Sequence, residues 1–241
     1  MTSDIFDKLI LEENEILSLI NFSIKYRQKL LITYFNQHCY NIYSSDKNYK
    51  DLIENQFQVY ADGIGIKLAI RFTLGKKYQR FNATDLNEKI MNRLIDEKKR
   101  FYILGGNFEE SKISERFHSN KNYVGYCSGF FTENDIERII NSIKNFEPEV
   151  IIVGMGVPKQ EIIAARICAM VDASLFICVG NFFEFYFGTV RRIPVRFRDK
   201  GIEWIYRLFQ EPKRLWKRYL IGIPLFILRV IRFKLTLNKF G

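Results

Sequence analysis

The chain has 241 residues and is 47% hydrophobic, with 22 Phe and 13 Tyr. That is enough apolar side chain for a sizeable core, and it excludes disorder as the dominant state. Net charge is +10, yet residues 191–241 hold 14 Lys/Arg against 3 Asp/Glu, or +11, so residues 1–190 carry −1. A neutral body is thus followed by a basic appendage, which calls for an anionic partner.

The chain opens MTSDIFDKLILEENEIL, with acids where a secretory signal places Lys/Arg ahead of an apolar run. A cytosolic protein is expected. Apolar or β-branched runs predict strands at Leu30–Phe35, Phe57–Ala61, Phe101–Leu104, Tyr123–Tyr126, Val150–Val153 and Leu175–Val179. Helical spacing lies between them. Thr84–Lys98 brings Leu86, Ile90, Met91 and Leu94 to one face behind a Thr84 cap, and Thr132–Lys144 does the same with Ile136, Ile139, Ile140 and Ile143 behind Thr132. Pro158–Val171 starts with proline, whose missing N–H costs little at a helix start.

Strands alternating with helices predict an α/β fold: an open, mostly parallel, Rossmann-like sheet with helices on both faces. Residues 1–190 form this core. Residues 191–241 form a basic, helical, amphipathic and membrane-associating appendage. Ligands of such sheets sit at the carboxyl ends of the strands. That directs attention to Asn36, Asp62-Gly63, Gly105-Gly106, Gly154–Gln160 and Gly180-Asn181.

Cys39, Cys127, Cys168 and Cys178 contain no Cys-x-x-Cys pair, so they are read as reduced packing residues. With only His38 and His118 besides, no metal site is expected. Gly63-x-Gly65 and Gly154-x-Gly156 lack the third glycine of a dinucleotide fingerprint, since Leu68 and Lys159 stand there. There is no Walker A sequence and no Asp-x-Asp pair, and no cofactor is expected.

Asp62-Gly63 has two readings. It is a common turn dipeptide, and at a strand's carboxyl end its carboxylate can also take a proton from an attacking hydroxyl. GMGVPKQE, residues 154–161, is either a glycine strand exit before an ordinary helix or a ligand cradle. In the second reading, glycine amides and a helix N-terminus face an anion beside Lys159 and Gln160. The tail mixes Arg/Lys with Trp204, Tyr206, Phe209, Trp216 and Tyr219. Nucleic acid, an anionic membrane surface and a solvated helix face all fit that mixture. The apolar stretch Leu220–Ile231 after it favours the membrane. Within it LIGIPLFIL is broken by Gly222 and Pro224 and is too short to cross a bilayer.

ADGIG with Arg71, then GMGVPKQE, VGNFFEFYFGTVRRIP and GIEWIYRLFQEPKRLWKRYL stand in the order and spacing of the WecG/TagA/CpsF glycosyltransferases, which the chain resembles from about Leu30 to about Tyr219. The resemblance implies an inverting, metal-independent enzyme. Such an enzyme moves a sugar from a UDP-sugar to a polyprenyl-diphosphate-linked sugar in cell-surface polysaccharide synthesis, at the inner face of the cell membrane. It implies Asp62 as general base. Gln160 and Glu161 match the family's Pro-Lys-Gln-Glu element. Thr33 and Asn36 match its Thr and Asn after the first strand, with Thr-x-x-Asn in place of Thr-x-Asn. Arg-Ala-Pro is here Arg192-Ile193-Pro194, and Phe-Asp-Phe is Phe183-Glu184-Phe185. The donor is expected at Gly105-Gly106 and Gly154–Gln160, which include Gly156 and Lys159, and Gly63 is a further expected substrate-binding residue. Arg191, Arg192, Arg207 and Arg214 are the pool for the leaving UDP or the acceptor diphosphate. Nucleic acid is not an expected partner on this reading. An oligomer formed through the apolar tail stays open.

Overall fold

A computed structural model describes residues 5–117, 120–194, 201 and 203–240. The basic run at 195–200 and His118 lie outside the described residues. The six strands found among the described residues are β1 Leu30–Phe35, β2 Gln58–Ala61, β3 Phe101–Gly105, β4 Tyr123–Cys127, β5 Val150–Gly154 and β6 Leu175–Cys178. They form one sheet in the order β2-β1-β6-β5-β3-β4, and every pairing is parallel. All residues of β3, β5 and β6 are buried. Alternate residues of a strand face opposite sides, so both faces are covered, and that is why these segments read as unbroken apolar runs.

The helices are α1 Ile5–Lys8, α2 Glu13–Tyr26, α3 Gln37–Tyr43, α4 Lys47–Gln56, α5 Gly63–Leu74, α6 Ala83–Asp96, α7 Glu110–Phe117, α8 Ile136–Phe146, α9 Lys159–Met170, α10 Phe182–Tyr186, α11 Glu203–Gln210, α12 Pro212–Trp216 and α13 Gly222–Phe240. A π-helical turn, Lys217–Ile221, joins α12 to α13. The cap of α6 is Asn82, two residues before the expected Thr84. The Asn82 side chain accepts from the Thr84 N–H at 2.8 Å. Thr132 does stand at the expected start, where its N–H and hydroxyl donate to Asp135 ahead of α8. The four cysteines are free, and three of them are buried.

The basic end of the chain packs on the body. Phe226 and Val230 of α13 join the main core, and Phe226 meets the Tyr40 ring edge-on at 5.4 Å. Polar ties fix the helix lengthwise. Arg229 donates to the Asn41 carbonyl, Asn41 Nδ2 donates to the Gly222 carbonyl at 2.7 Å, and Lys234 Nζ donates to the Thr73 carbonyl at 2.9 Å. Among the described residues no helix is long and apolar enough to cross a membrane.

Candidate active site

Strand register builds the first half of the site. Phe35 pairs with Ala61, so the next residues, Asn36 and Asp62, leave the sheet side by side. Asn36 caps α3, its Oδ1 accepting from the N–H groups of His38 and Cys39 at 3.0 and 3.2 Å. With that oxygen engaged, its amide nitrogen is what it can offer a ligand. Asp62 stands at the N-cap position of α5 without capping it. Its Oδ1 instead accepts from the Ala83 N–H at 3.3 Å. Asn36, Asp62 and Gly63 line a polar cavity of about 110 Å³ that is closed from the other side by Glu203, Trp204, Arg207, Arg218 and Tyr219.

The second half lies where the strand order switches. The connection after β3 runs outward to β4, and that after β5 runs inward to β6, which opens a crevice between their carboxyl ends. Gly105 pairs there with Gly154. Gly105 has φ +138°, and a Cβ on it would sit 2.2 Å from the Gly154 carbonyl oxygen, so only glycine allows this approach. A cavity of about 220 Å³ is lined by Gly106, Gly154, Lys159, Gly180, Asn181 and Arg214, among others. Lys159 Nζ donates to the Gly129 carbonyl at 2.8 Å and lies over the Phe131 ring. Between the two halves a narrow cavity of about 60 Å³ shares Asp62 with the first and Asn181 with the second.

Not every expected residue reaches these cavities. Thr33, Gln160 and Glu161 are fully buried beneath the floor. Thr33 Oγ1 and Gln160 Nε2 donate to Glu161 Oε1 at 2.8 and 2.7 Å, and Gln160 Oε1 accepts from the Gly180 N–H at 2.9 Å. None of these three lines the described cavities; they form a buried strut that fixes Gly180. Gly105 serves strand closure, and Gly156 lies outside the linings of the described cavities, its carbonyl accepting from the Gln160 N–H. Arg191 is exposed at the surface. Arg192 pairs with Asp85 at 2.6 Å and donates to Asn82 Oδ1 at 3.2 Å, its side chain is 11% exposed, and its Nε is buried without a hydrogen-bond partner. It pins the start of the appendage to α6 and lies outside the linings of the described cavities.

Arg207 does face the Asp62 cavity, and Arg214 faces the glycine crevice, where it also pairs with Glu211 at 2.5 Å. Arg218, absent from the expected pool, lines the Asp62 cavity beside Arg207. The Nε atoms of Arg207 and Arg218 are both buried without a hydrogen-bond partner.

Burial raises the Asp62 pKa above the ordinary carboxylate value, and nearby Glu203 adds to the rise. The Ala83 N–H, Arg80 and Arg218 act against it. Glu161 is pushed up to about 7 by burial, opposed by its hydrogen bonds from Gln160 and Thr33. His38 is pushed down to about 4 by burial and by Arg218. Among the described residues no group of three or more His, Cys, Asp or Glu side chains could hold a metal ion.

The sequence profile of the WecG/TagA/CpsF glycosyltransferase family matches residues 6–240. The chain belongs to that family. As a WecG/TagA/CpsF protein it is a glycosyltransferase of cell-surface polysaccharide synthesis, with a sugar donor and an acceptor. The match extends through α13, so the last helix is part of the family unit.

Proposed function

We propose that this glycosyltransferase is an inverting, metal-independent enzyme with a UDP-sugar as donor. The donor sugar is of the N-acetylhexosamine, hexose or uronic acid type, and the acceptor is a polyprenyl-diphosphate-linked sugar. One observation carries the reading. A single carboxylate of raised proton affinity, Asp62, lines the same cavity as two guanidinium groups whose Nε atoms are buried and unpartnered. An unpaired buried donor is costly, and a diphosphate supplies the acceptor oxygens to satisfy it.

The donor fits the glycine crevice, where backbone amides, the N-terminal end of α9 and Lys159 converge on an anion. The acceptor hydroxyl attacks the anomeric carbon from the Asp62 side. Asp62 takes the hydroxyl proton while the bond from carbon to the UDP oxygen breaks, and UDP departs with the electron pair. The raised proton affinity makes Asp62 a stronger base than a free carboxylate. Arg207, Arg218 and Arg214 supply fixed positive charge for the leaving group and the acceptor diphosphate.

The outer face of α13 supports a place on the inner surface of the cell membrane. Leu228 and Leu235 are exposed near Arg232, a pairing suited to anionic lipid. The decisive test is Asp62→Asn, assayed for release of UDP from a panel of UDP-sugars. Turnover should fall by ~10²–10⁴ with UDP-sugar binding retained. A near-normal rate in the Asp62→Asn variant removes Asp62 from the role of base.

A further inference from the structure

Beside the Asp62 cavity runs a second one of different character, a groove of about 440 Å³ between α5 and α13. Ala69, Phe226 and Val230 make its floor and are buried. Leu68, Phe72, Ile227 and Ile231 make its rim and remain 41–56% exposed. Apolar side chains left open in a concave site of this size are the usual makings of a small-molecule pocket. Gly65 lies at the inner end, where a Cβ would touch Gln37 and Phe226 at 3.5 Å.

The inner end decides what the groove is for. Gln37, Ile64 and Trp204 line both the groove and the Asp62 cavity. The apolar trough therefore runs directly into the cavity where the Nε atoms of Arg207 and Arg218 are buried without a hydrogen-bond partner. A ligand filling both compartments has an anionic head and a hydrocarbon chain joined end to end. We infer that the groove between α5 and α13 seats the first part of the acceptor's hydrocarbon chain, next to its diphosphate. This rests on the acceptor class proposed above and adds a site for the chain. The groove is separate from the convex face of α13, because Leu228 and Leu235 are not among its walls.

Seating the chain here fixes the reacting sugar in depth as well as direction. The diphosphate is held by Arg207 and Arg218, the chain leaves toward α13, and the sugar hydroxyl is left facing Asp62. Apolar burial adds affinity in proportion to the chain surface removed from water. It also selects for long acceptors over water-soluble ones.

The test is a calorimetric titration of the full chain, without detergent, using farnesyl diphosphate and inorganic diphosphate as probes. Farnesyl diphosphate should bind at least tenfold more tightly than inorganic diphosphate. The Leu68→Gln/Ile227→Gln double variant, altered only at exposed rim positions, should lose that advantage while keeping the affinity for inorganic diphosphate. Arg218→Ala should weaken both probes. Equal affinities in the parent protein overturn the inference, as does an advantage that survives in the double variant. A parent protein that sediments as a dimer, with the double variant monomeric, assigns the groove to a second copy of the chain and also overturns it. The underlying catalytic reading fails differently: the chain advantage persists, while Arg218→Ala leaves diphosphate binding untouched and Asp62→Asn leaves turnover untouched.

Discussion

Glu161→Gln tests the buried strut beneath the site. The Glu161 side chain is fully buried, its Oε1 accepts from Thr33 and Gln160, and its Oε2 has no partner. Burial raises its pKa from 4.5 to about 7. Between those values the unfolded chain has released the proton and the folded chain has kept it. Folding then takes up a proton, and stability falls as pH rises through that window, levelling off above about 7. Each tenfold difference in proton affinity is worth ~1.4 kcal/mol, so the full loss is about 3 kcal/mol. Gln keeps the shape and never ionises. The stability of Glu161→Gln relative to the parent should grow by roughly 2–3 kcal/mol from pH 5 to pH 8.5, read from urea unfolding at each pH. His38 acts in the opposite sense. Its pKa is lowered from 6.5 to about 4, so its contribution improves as pH rises across that range. The difference between variant and parent cancels it. A difference that does not vary with pH would show that Glu161 is ionised throughout and refute the reasoning.

If Asp62 is the base, activity needs its ionised form and declines as pH falls through its raised pKa. Arg218→Gln removes a cation that favours ionisation and should move the acid limb of the kcat/KM profile upward. Glu203→Gln removes an anion and should move it downward, and two unmoved limbs would sink the assignment. Leu228→Gln/Leu235→Gln should reduce co-sedimentation with anionic vesicles at low salt, whereas pelleting equal to the parent would take the membrane contact away from α13. Gly105→Ala, which forces a methyl group onto the Gly154 carbonyl at a positive φ, should cost more than ~2 kcal/mol in thermal or urea unfolding. A stable variant would mean that the ends of β3 and β5 can separate.

The sheet was legible in the sequence because a strand buried on both faces must be apolar throughout. All six predicted segments became strands, with ends displaced by about one residue, as at β2 and β6. The ligand edge was legible for a related reason: the residues that leave a parallel sheet together are set by register, and Asn36 and Asp62 follow from it. The burial of Gln160 could also have been read. It shares a helical stripe with Ile163, Ala164 and Ile167, all buried, so the phase of α9 turns Gln160 inward whatever its motif suggests. The pairing of Arg192 with Asp85 could not. It joins residues 107 apart in the chain, and nothing local distinguishes Arg192 from Arg191. Arg218 was hidden in a different way, since its place beside Asp62 depends on the path of the whole appendage back over the body.

That return path sets what holds the site together. The body contributes an acid, Asp62, and one cation, Arg80, to a cavity whose other cations, Arg207 and Arg218, come with the appendage, as does a second acid, Glu203. The cavity is therefore complete only with the appendage in place. Besides the hydrogen bonds of Arg229, Asn41 and Lys234, an ion pair and apolar packing hold it there. The Arg192–Asp85 pair is partly open to solvent, Asp85 being 39% exposed, and such pairs are worth about 0–1 kcal/mol. Phe226 and Val230 are each 5% exposed, and burying two side chains of this kind contributes roughly 3–6 kcal/mol. Apolar packing of α13 is the stronger term by several-fold. Salt should accordingly weaken the binding of anions to Arg207 and Arg218 while leaving the appendage seated. It follows that the appendage's share of the positive wall is positioned by the hydrophobic underside of the last helix, and that loosening this underside would remove Arg207 and Arg218 from Asp62 at once and leave Arg80.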